Sequence, residues 1–240
     1  MRMEKLRAAN PLQADFDDFY NLFMDTFDTV CQRRIKLGGQ YLSVCHARDG
    51  HKYVCMDELV EDLQNGDCLV YSFGLASDWT FEENLAAMGC KVYAFDPTVD
   101  GPAKLDPNIH FEKIGIIAAS DGRTNYQTLD SLLAANGHSA TKISYMKFDV
   151  EGAEIAAIPM WIKSGVLTHV RQLALEIHLG NGIDSMRNFF KTFKDLQITN
   201  QFRIFSWDPN TCWKNSDTGK FYRLSEIVFH KIDPKDSCSQ

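Results

Sequence analysis

The sequence predicts an α/β fold: one mainly parallel sheet with helices on both faces and an antiparallel terminal strand. Three observations lead there. From Cys68 onward, short apolar runs alternate with stretches whose apolar residues recur at spacings of three and four. The chain's last two apolar runs, 202–207 and 223–232, are joined by a polar connection and pair naturally as antiparallel neighbours. At 240 residues, with 45% hydrophobic and 24% charged side chains, the chain has the composition of a globular protein with one substantial core.

The elements follow in order. Phe16, Phe19, Tyr20, Phe23 and Phe27 form one apolar stripe, which predicts a helix over 16–30 docked on the main body. Asp17, Asp18, Asp25 and Asp28 on its other side disfavour an anionic bilayer as its partner. Residues 1–52 are expected to form an N-terminal helical extension or cap, and 53–240 the α/β body. Within that body, 68–73 reads as the first strand. Thr80 and Glu83 have capping-box spacing before a helix carrying Phe81, Leu85 and Met88, and Gly89 stands where that helix should stop. Residues 91–97 read as a second strand closed by Pro97, and 110–120 as a third. A short helix over 126–136 precedes strands at 142–149 and 172–178. A helix over 185–196 then presents Met186, Phe189, Phe190 and Phe193 on one side. Such alternation implies right-handed crossovers.

Charge and hydropathy narrow the classes. A net charge of −7 opposes a sequence-independent grip on nucleic acid, which needs a basic field. No run of 18 apolar residues marks a membrane span, and the first residues lack an apolar signal region, so a soluble, cytoplasmic chain is the default expectation. Cys31, Cys45, Cys55 and Cys68 crowd the first third and raise the lumen of the secretory pathway as the alternative. Four cysteines allow three pairings, and free buried thiols stand equally open. Between Cys45 and Cys55 lie His46 and His51, but without a C-x2-4-C knuckle a loop or a disulfide is expected there rather than zinc.

In an open α/β sheet ligands sit beyond the carboxyl ends of the strands, so those ends hold the candidate residues. Ser72, Phe73 and Gly74 end the first strand, and Gly74 would let the backbone approach a ligand. Asp96, twenty-two residues after Gly74 and followed by Pro97, stands where an acidic side chain receives the hydroxyls of an adenosine ribose. Its alternative is an ordinary Asp before a proline turn. Ser120 and Asp121 could meet an adenine edge or form an Asp-Gly turn. The densest group is Asp149, Glu151 and Glu154, with Glu176 and His178 at the next strand end. The helix dipole accounts for Glu151 and Glu154 but not for Asp149. Carboxylates so close should raise at least one pKa. Asp149, Glu151 and His178 are therefore the candidate acid–base residues. A divalent cation bridging Asp149 and Glu176 is a further option to which the carboxylates alone do not commit the site.

The motifs "VYAFDPT", "TLDSLL", "KFDVEGAE" and "LALEIH", in this order and spacing, resemble the FkbM-type branch of the class I S-adenosylmethionine-dependent methyltransferases. The resemblance covers roughly residues 31–232. It implies a Rossmann-like sheet with a reversed last strand, with Phe73 and Gly74 on the methionine side of the cofactor, Asp96 on its ribose and Asp149 beside the sulfonium. It implies methyl transfer, with an oxygen of a small molecule or glycan as the expected acceptor. Ser72 and Ala76 depart from the family pattern, which has an acidic residue and a second glycine at those places. Two readings from other classes stay open: a catalytically silent binding module, and an NAD-binding oxidoreductase, for which "GLASDW" offers only one glycine.

Overall fold

The computed structural model describes residues 2–15, 17–19, 31–179, 183–210 and 224–232. The described helices are α1 (Arg2–Ala8), α2 (Met56–Asn65), α3 (Thr80–Ala87), α4 (Leu129–Ala135), α5 (Glu154–Ser164) and α6 (Ile183–Ile198). A seven-stranded sheet is built from β5 (Leu69–Phe73), β6 (Lys91–Phe95), β7 (Ile109–Glu112), β10 (Ile143–Phe148), β11 (Val170–His178), β12 (Phe202–Pro209) and β13 (Leu224–Lys231). Its order is β12-β13-β11-β10-β5-β6-β7. β5, β6, β7, β10 and β11 run parallel, and β13 runs antiparallel to both neighbours. This is the Rossmann-like sheet with a reversed last strand.

The chain leaves β5 toward β6 and β7, and later returns through β10 toward β11, so its direction of travel reverses between β5 and β10. The crevice at such a switch point is where an α/β sheet binds ligands. Both strands are fully buried, as expected for near-continuous apolar runs covered on two faces. One face packs on α4, α5 and α6 through residues such as Leu132, Trp161 and Phe193. The other packs on α2 and α3 through Leu59, Phe81 and Leu85.

The N-terminal region differs from the expected helical cap. β1 (Arg34–Leu37) pairs antiparallel with β4 (Lys52–Cys55), and β2 (Gln40–Leu42) pairs with β3 (Ala47–Asp49) between them. This nested hairpin straddles the expected boundary at residue 52, because Lys52 and Val54 point into the main body while Leu37 pairs with Lys52. Most of the helix expected over 16–30 lies outside the described residues, though Phe19 is buried edge-on to Phe190.

Two local corrections matter for the site. The expected third strand divides: β7 ends at Glu112, and β8 (Gly115–Ile116) turns away to pair with β9 (Tyr126–Gln127). Ser120 and Asp121 therefore belong to the loop between β8 and β9. The expected capping box is also absent, since Thr80 is already helical and its N–H and hydroxyl both donate to Asp78 Oδ1, at 3.0 and 2.6 Å. Asp78 does what Thr80 was expected to do.

Among the described residues, the disulfides Cys31–Cys55 and Cys68–Cys90 tie the hairpin to the start of α2 and the start of β5 to that of β6, and Cys45 is disulfide-bonded as well. Among the described residues no helix is long and apolar enough to cross a membrane.

Candidate active site

Gly74 follows β5 with φ +77°, a region that disfavours any residue with a Cβ. A Cβ there would lie 1.6 Å from the Asp149 carbonyl oxygen. The close approach that requires glycine is thus to the backbone at the end of β10, not to a ligand. The Asp149 N–H donates to Phe73 O (3.1 Å) and the Gly74 N–H to Phe95 O (3.0 Å), locking three strand ends together.

Asp96, at the end of β6, is almost wholly enclosed. One carboxylate oxygen accepts from the Leu75 and Ala76 N–H groups (2.8 and 3.0 Å), and the other from the Thr98 N–H and hydroxyl (2.7 and 2.6 Å). Burial works to raise its pKa, but these four bonds outweigh it and hold the carboxyl below its usual range. They also hold Ala76 at φ +48°. Asp96 therefore shapes the loop after Gly74, and its acceptor capacity is used within the protein.

Ser72 is corrected in the same way. Its side chain is fully buried on the face opposite Phe73 and donates to Glu82 Oε1 at 2.5 Å, so it is not on the ligand wall. Glu82, on α3, also faces Lys147 Nζ at 3.4 Å, and Lys147 donates to the Gly74 carbonyl at 2.6 Å. Sequence reading missed Glu82 and Lys147 because both sit where apolar periodicity leads one to expect apolar side chains.

The acidic group assembles at the ends of β10 and β11. Asp149 and Glu176 bring their carboxyl groups together, within 4.8 Å of each other. Lys52, fully buried, donates to Glu226 Oε1 at 2.5 Å and reaches Asp149 Oδ2 at 3.3 Å. Burial opposes the ammonium, but the charges of Glu226, Asp149 and Glu176 raise its pKa above the ordinary lysine value. Burial likewise favours a neutral Asp149, yet Lys52, the bond with Glu176, and the charges of Lys147 and His178 keep it well below the carboxylate range. Burial, then the hydrogen bond and charge of Asp149, push the Glu176 carboxyl up to about 10, and burial raises Glu226 to about 7 against the pull of Lys52.

His178 is held through Nδ1 by Glu154 Oε1 at 2.6 Å, while Nε2 lies 3.4 Å from Glu151 and 3.5 Å from Glu176. Burial disfavours its charge, but the hydrogen bond and charge of Glu154, with Asp149 and Glu151, raise its pKa. Glu151 is exposed and held at φ +55°. A non-glycine residue in that conformation is a common mark of a functional turn.

Phe73, Gly74, Asp96, Asp149 and Glu176 share the wall of one cavity of about 870 Å³. Its lining also includes Phe95, Ile116 and Glu151, and Gln40, Leu42 and Asp49 of the β2–β3 hairpin. The protein family described as "Methyltransferase domain" matches residues 4–223. The chain belongs to that family.

Its relatives include "Probable methyltransferase-like protein 24" of Homo sapiens, 34% identical over 173 residues, which cover 63% of this chain and 46% of that one. The protein of the same description from Rattus norvegicus is 32% identical over 173 residues, 63% of this chain and 47% of its own. The chain thus spans about half the length of the curated relatives it matches. A solved structure of an uncharacterized protein from Listeria monocytogenes serotype 4b aligns over 74% of this chain and 68% of its own, at 12% identity and a TM-score of 0.39, a likeness too slight to carry an argument.

Of the residues singled out from this family member's sequence, Phe73, Gly74, Asp96, Pro97, Asp121, Asp149 and Glu151 reach the cavity wall. Ser72 and His178 do not, and Ser120 is an exposed loop residue off the wall. Lys52 and Glu226 went unnoticed. The signal for both was alternation: each is charged at a position whose strand neighbours two residues away, Val54 and Val228, are buried.

Ligand atoms of Asp149, Glu176 and His178 lie within 4.8 Å of one another, with Glu154 on His178 Nδ1 and the Lys52 ammonium on Asp149 Oδ2.

Proposed function

We propose that the chain transfers a methyl group from S-adenosylmethionine to an oxygen of a small molecule or glycan. The observation that carries this is the continuity of the cavity: one lining holds both the aliphatic Ile116 and Ile117 and the carboxyls of Asp149 and Glu176. Its volume of about 870 Å³ suits a cofactor and an acceptor together. The aliphatic lining at Ile116 and Ile117 fits an adenine, and the carboxylates fit a sulfonium cation. Phe73 and Gly74 would hold the methionine side, Pro97 and Asp121 the adenosine side. Asp96 would contribute to the ribose chiefly by shaping the loop at Leu75 and Ala76, or directly if a hydroxyl replaces Thr98 on its carboxylate. FkbM-type membership is part of the proposal and rests on the "DVEGAE" turn and the "LALEIH" strand.

When bound, S-adenosylmethionine supplies a methyl group activated by a sulfonium. The protein's part is orientation and proton handling, and orientation alone can supply about 7–11 kcal/mol of a barrier. The carboxyl pair is the reason to favour oxygen. Asp149 offers an anionic acceptor and Glu176 a carboxyl proton, matching a hydroxyl, which both donates and accepts. A phosphate, which wants donors only, fits this pair poorly. Glu151, exposed on the same wall, is the acid–base candidate with access to solvent, and His178 acts on the pair from behind it. Small molecules and glycans remain the expected partners, and the wall's acidic end disfavours nucleic acid. The disulfides support the secretory lumen over the cytoplasm.

One observation favours the silent binding module as a second reading: all four acceptor sites of Asp96 are filled by the protein itself. Isothermal titration with S-adenosylmethionine, S-adenosylhomocysteine and NAD separates the readings. Methyltransferase chemistry requires binding of the first two and transfer of labelled methyl to a hydroxyl acceptor. Binding without transfer supports the silent module, and binding of NAD alone overturns the proposal.

A further inference from the structure

We propose that Lys52 is a positioning residue of this site: delivered by the N-terminal hairpin, its ammonium bonds the Asp149 carboxylate and holds the negative charge of the Asp149–Glu176 pair at Asp149. The meaning of this for methyl transfer rests on the proposed function, but the assignment itself does not.

The placement is built. β4 is fixed on the sheet at its far end, where the Cys55 N–H donates to Gln172 Oε1 and Gln172 Nε2 donates to the Cys55 carbonyl, both at 2.8 Å. Cys55 is also bonded to Cys31. Strand alternation then turns Lys52 and Val54 inward and Tyr53 outward, where the Lys36 ammonium lies over its ring. A strand at this place ordinarily presents an apolar residue to the core. Here it presents an ammonium with no solvent exposure, touching carboxylates from two different strands.

Neutralising Glu226 alone would explain only half of this geometry. Glu226 lies on β13, and the same ammonium reaches across to Asp149 at the end of β10, against the strand that carries Glu176. The groups acting on Asp149 are Lys52 from β4, Lys147 from β10, Glu176 and His178 from β11, and Glu226 from β13, with Glu151 and Glu154 acting on His178. Of the three cationic groups, Lys147 is committed to Gly74 and Glu82, and His178 to Glu154. Among these three, Lys52 alone is bonded to Asp149. Because it favours the anion on Asp149 and not equally on Glu176, it holds the pair's negative charge at Asp149.

The test is a carboxyl carbon-13 NMR titration of the whole chain without cofactor. Wild type should show Asp149 ionised and Glu176 protonated at pH 7; the reverse assignment overturns the proposal. Lys52→Met alone strands buried charges and is prone to unfold, so the comparison is Glu226→Gln against Glu226→Gln with Lys52→Met. Loss of the ammonium should raise the Asp149 midpoint by about one pH unit or more, and equal midpoints in the two variants overturn the proposal. Should the double variant fail to fold, Lys52→Gln with Glu226→Gln takes its place under the same criterion. Calorimetry with S-adenosylmethionine on the same samples is independent: absence of binding to wild type defeats the methyltransferase reading and leaves the Lys52 assignment standing.

Discussion

Replacing Gly74 with alanine places a methyl group 1.6 Å from the Asp149 carbonyl oxygen, with φ at +77°. Two penalties add. The left-handed backbone costs a non-glycine residue about 1–2 kcal/mol. The clash is with main chain, so no rotamer relieves it, and the displaced strand end costs about 1–3 kcal/mol more by analogy with overpacked cores. The sum, about 2–5 kcal/mol, is a large part of a typical domain's stability of about 5–15 kcal/mol. Gly66 provides the control: its φ is +74°, yet nothing lies within 4 Å of its Cβ position, so Gly66→Ala incurs the backbone penalty alone. Urea unfolding of both variants should give a larger midpoint shift for Gly74→Ala at an unchanged slope. Equal shifts would refute the assignment of Gly74 to the Asp149 contact.

Further outcomes follow from the same geometry. Lys147→Met should destabilise by about 3–5 kcal/mol, because it strands the buried Glu82 carboxyl; adding Glu82→Gln should restore much of the loss in thermal unfolding, and no recovery would separate Lys147 from Glu82. Removing the Cys68–Cys90 disulfide, whose residues are 22 apart, by a paired alanine substitution should cost about 3 kcal/mol by loop entropy, read as a lower urea midpoint. Stability conferred by Glu176, Glu226 and His178 should fall as pH rises from about 4.5 toward 10. All three have folded pKa values above their unfolded ones, so the native state holds extra protons across that window and loses them as pH rises. Glu176→Gln should flatten the slope of stability between pH 7 and 9, and an unchanged slope would place the proton elsewhere.

The sheet was legible in the sequence because its strands are buried on both faces and read as continuous apolar runs, with Gly89 and Pro97 as punctuation. The third strand misled for a physical reason. "HFEKIGIIAAS" keeps an apolar character through a change of partner, since Gly115 and Ile116 leave the main sheet to pair with Tyr126 and Gln127. Hydropathy reports burial, not which strand supplies the hydrogen bonds. At the site, the positions of Gly74, Asp96 and Asp149 were legible, but their partners were not. Asp96 reads alike in sequence whether its carboxylate awaits a ribose or binds four donors of its own chain. Lys52 lies 97 residues from Asp149, and no local pattern connects a hairpin lysine to a strand end that far along the chain.

The connection matters because Asp149 is constrained from two sides. Its backbone is fixed by Gly74 and Phe73, whose strand end is tied through Lys147 and Glu82 to α3. Its side chain is fixed by Lys52, which Glu226 ties to β13 and whose strand Gln172 ties to β11. A carboxylate held at main chain and side chain by different elements cannot swing away from the cavity when a cation or a hydroxyl enters. Preorganisation of this kind puts the cost of arranging charge into folding rather than into the reaction. It also makes the hairpin inseparable from the chemistry: cutting the chain after residue 52 would remove the ammonium, so a shortened protein beginning at residue 53 should retain less affinity for S-adenosylmethionine than the whole chain. Equal affinity in calorimetry would show that the hairpin closes the fold without organising the site.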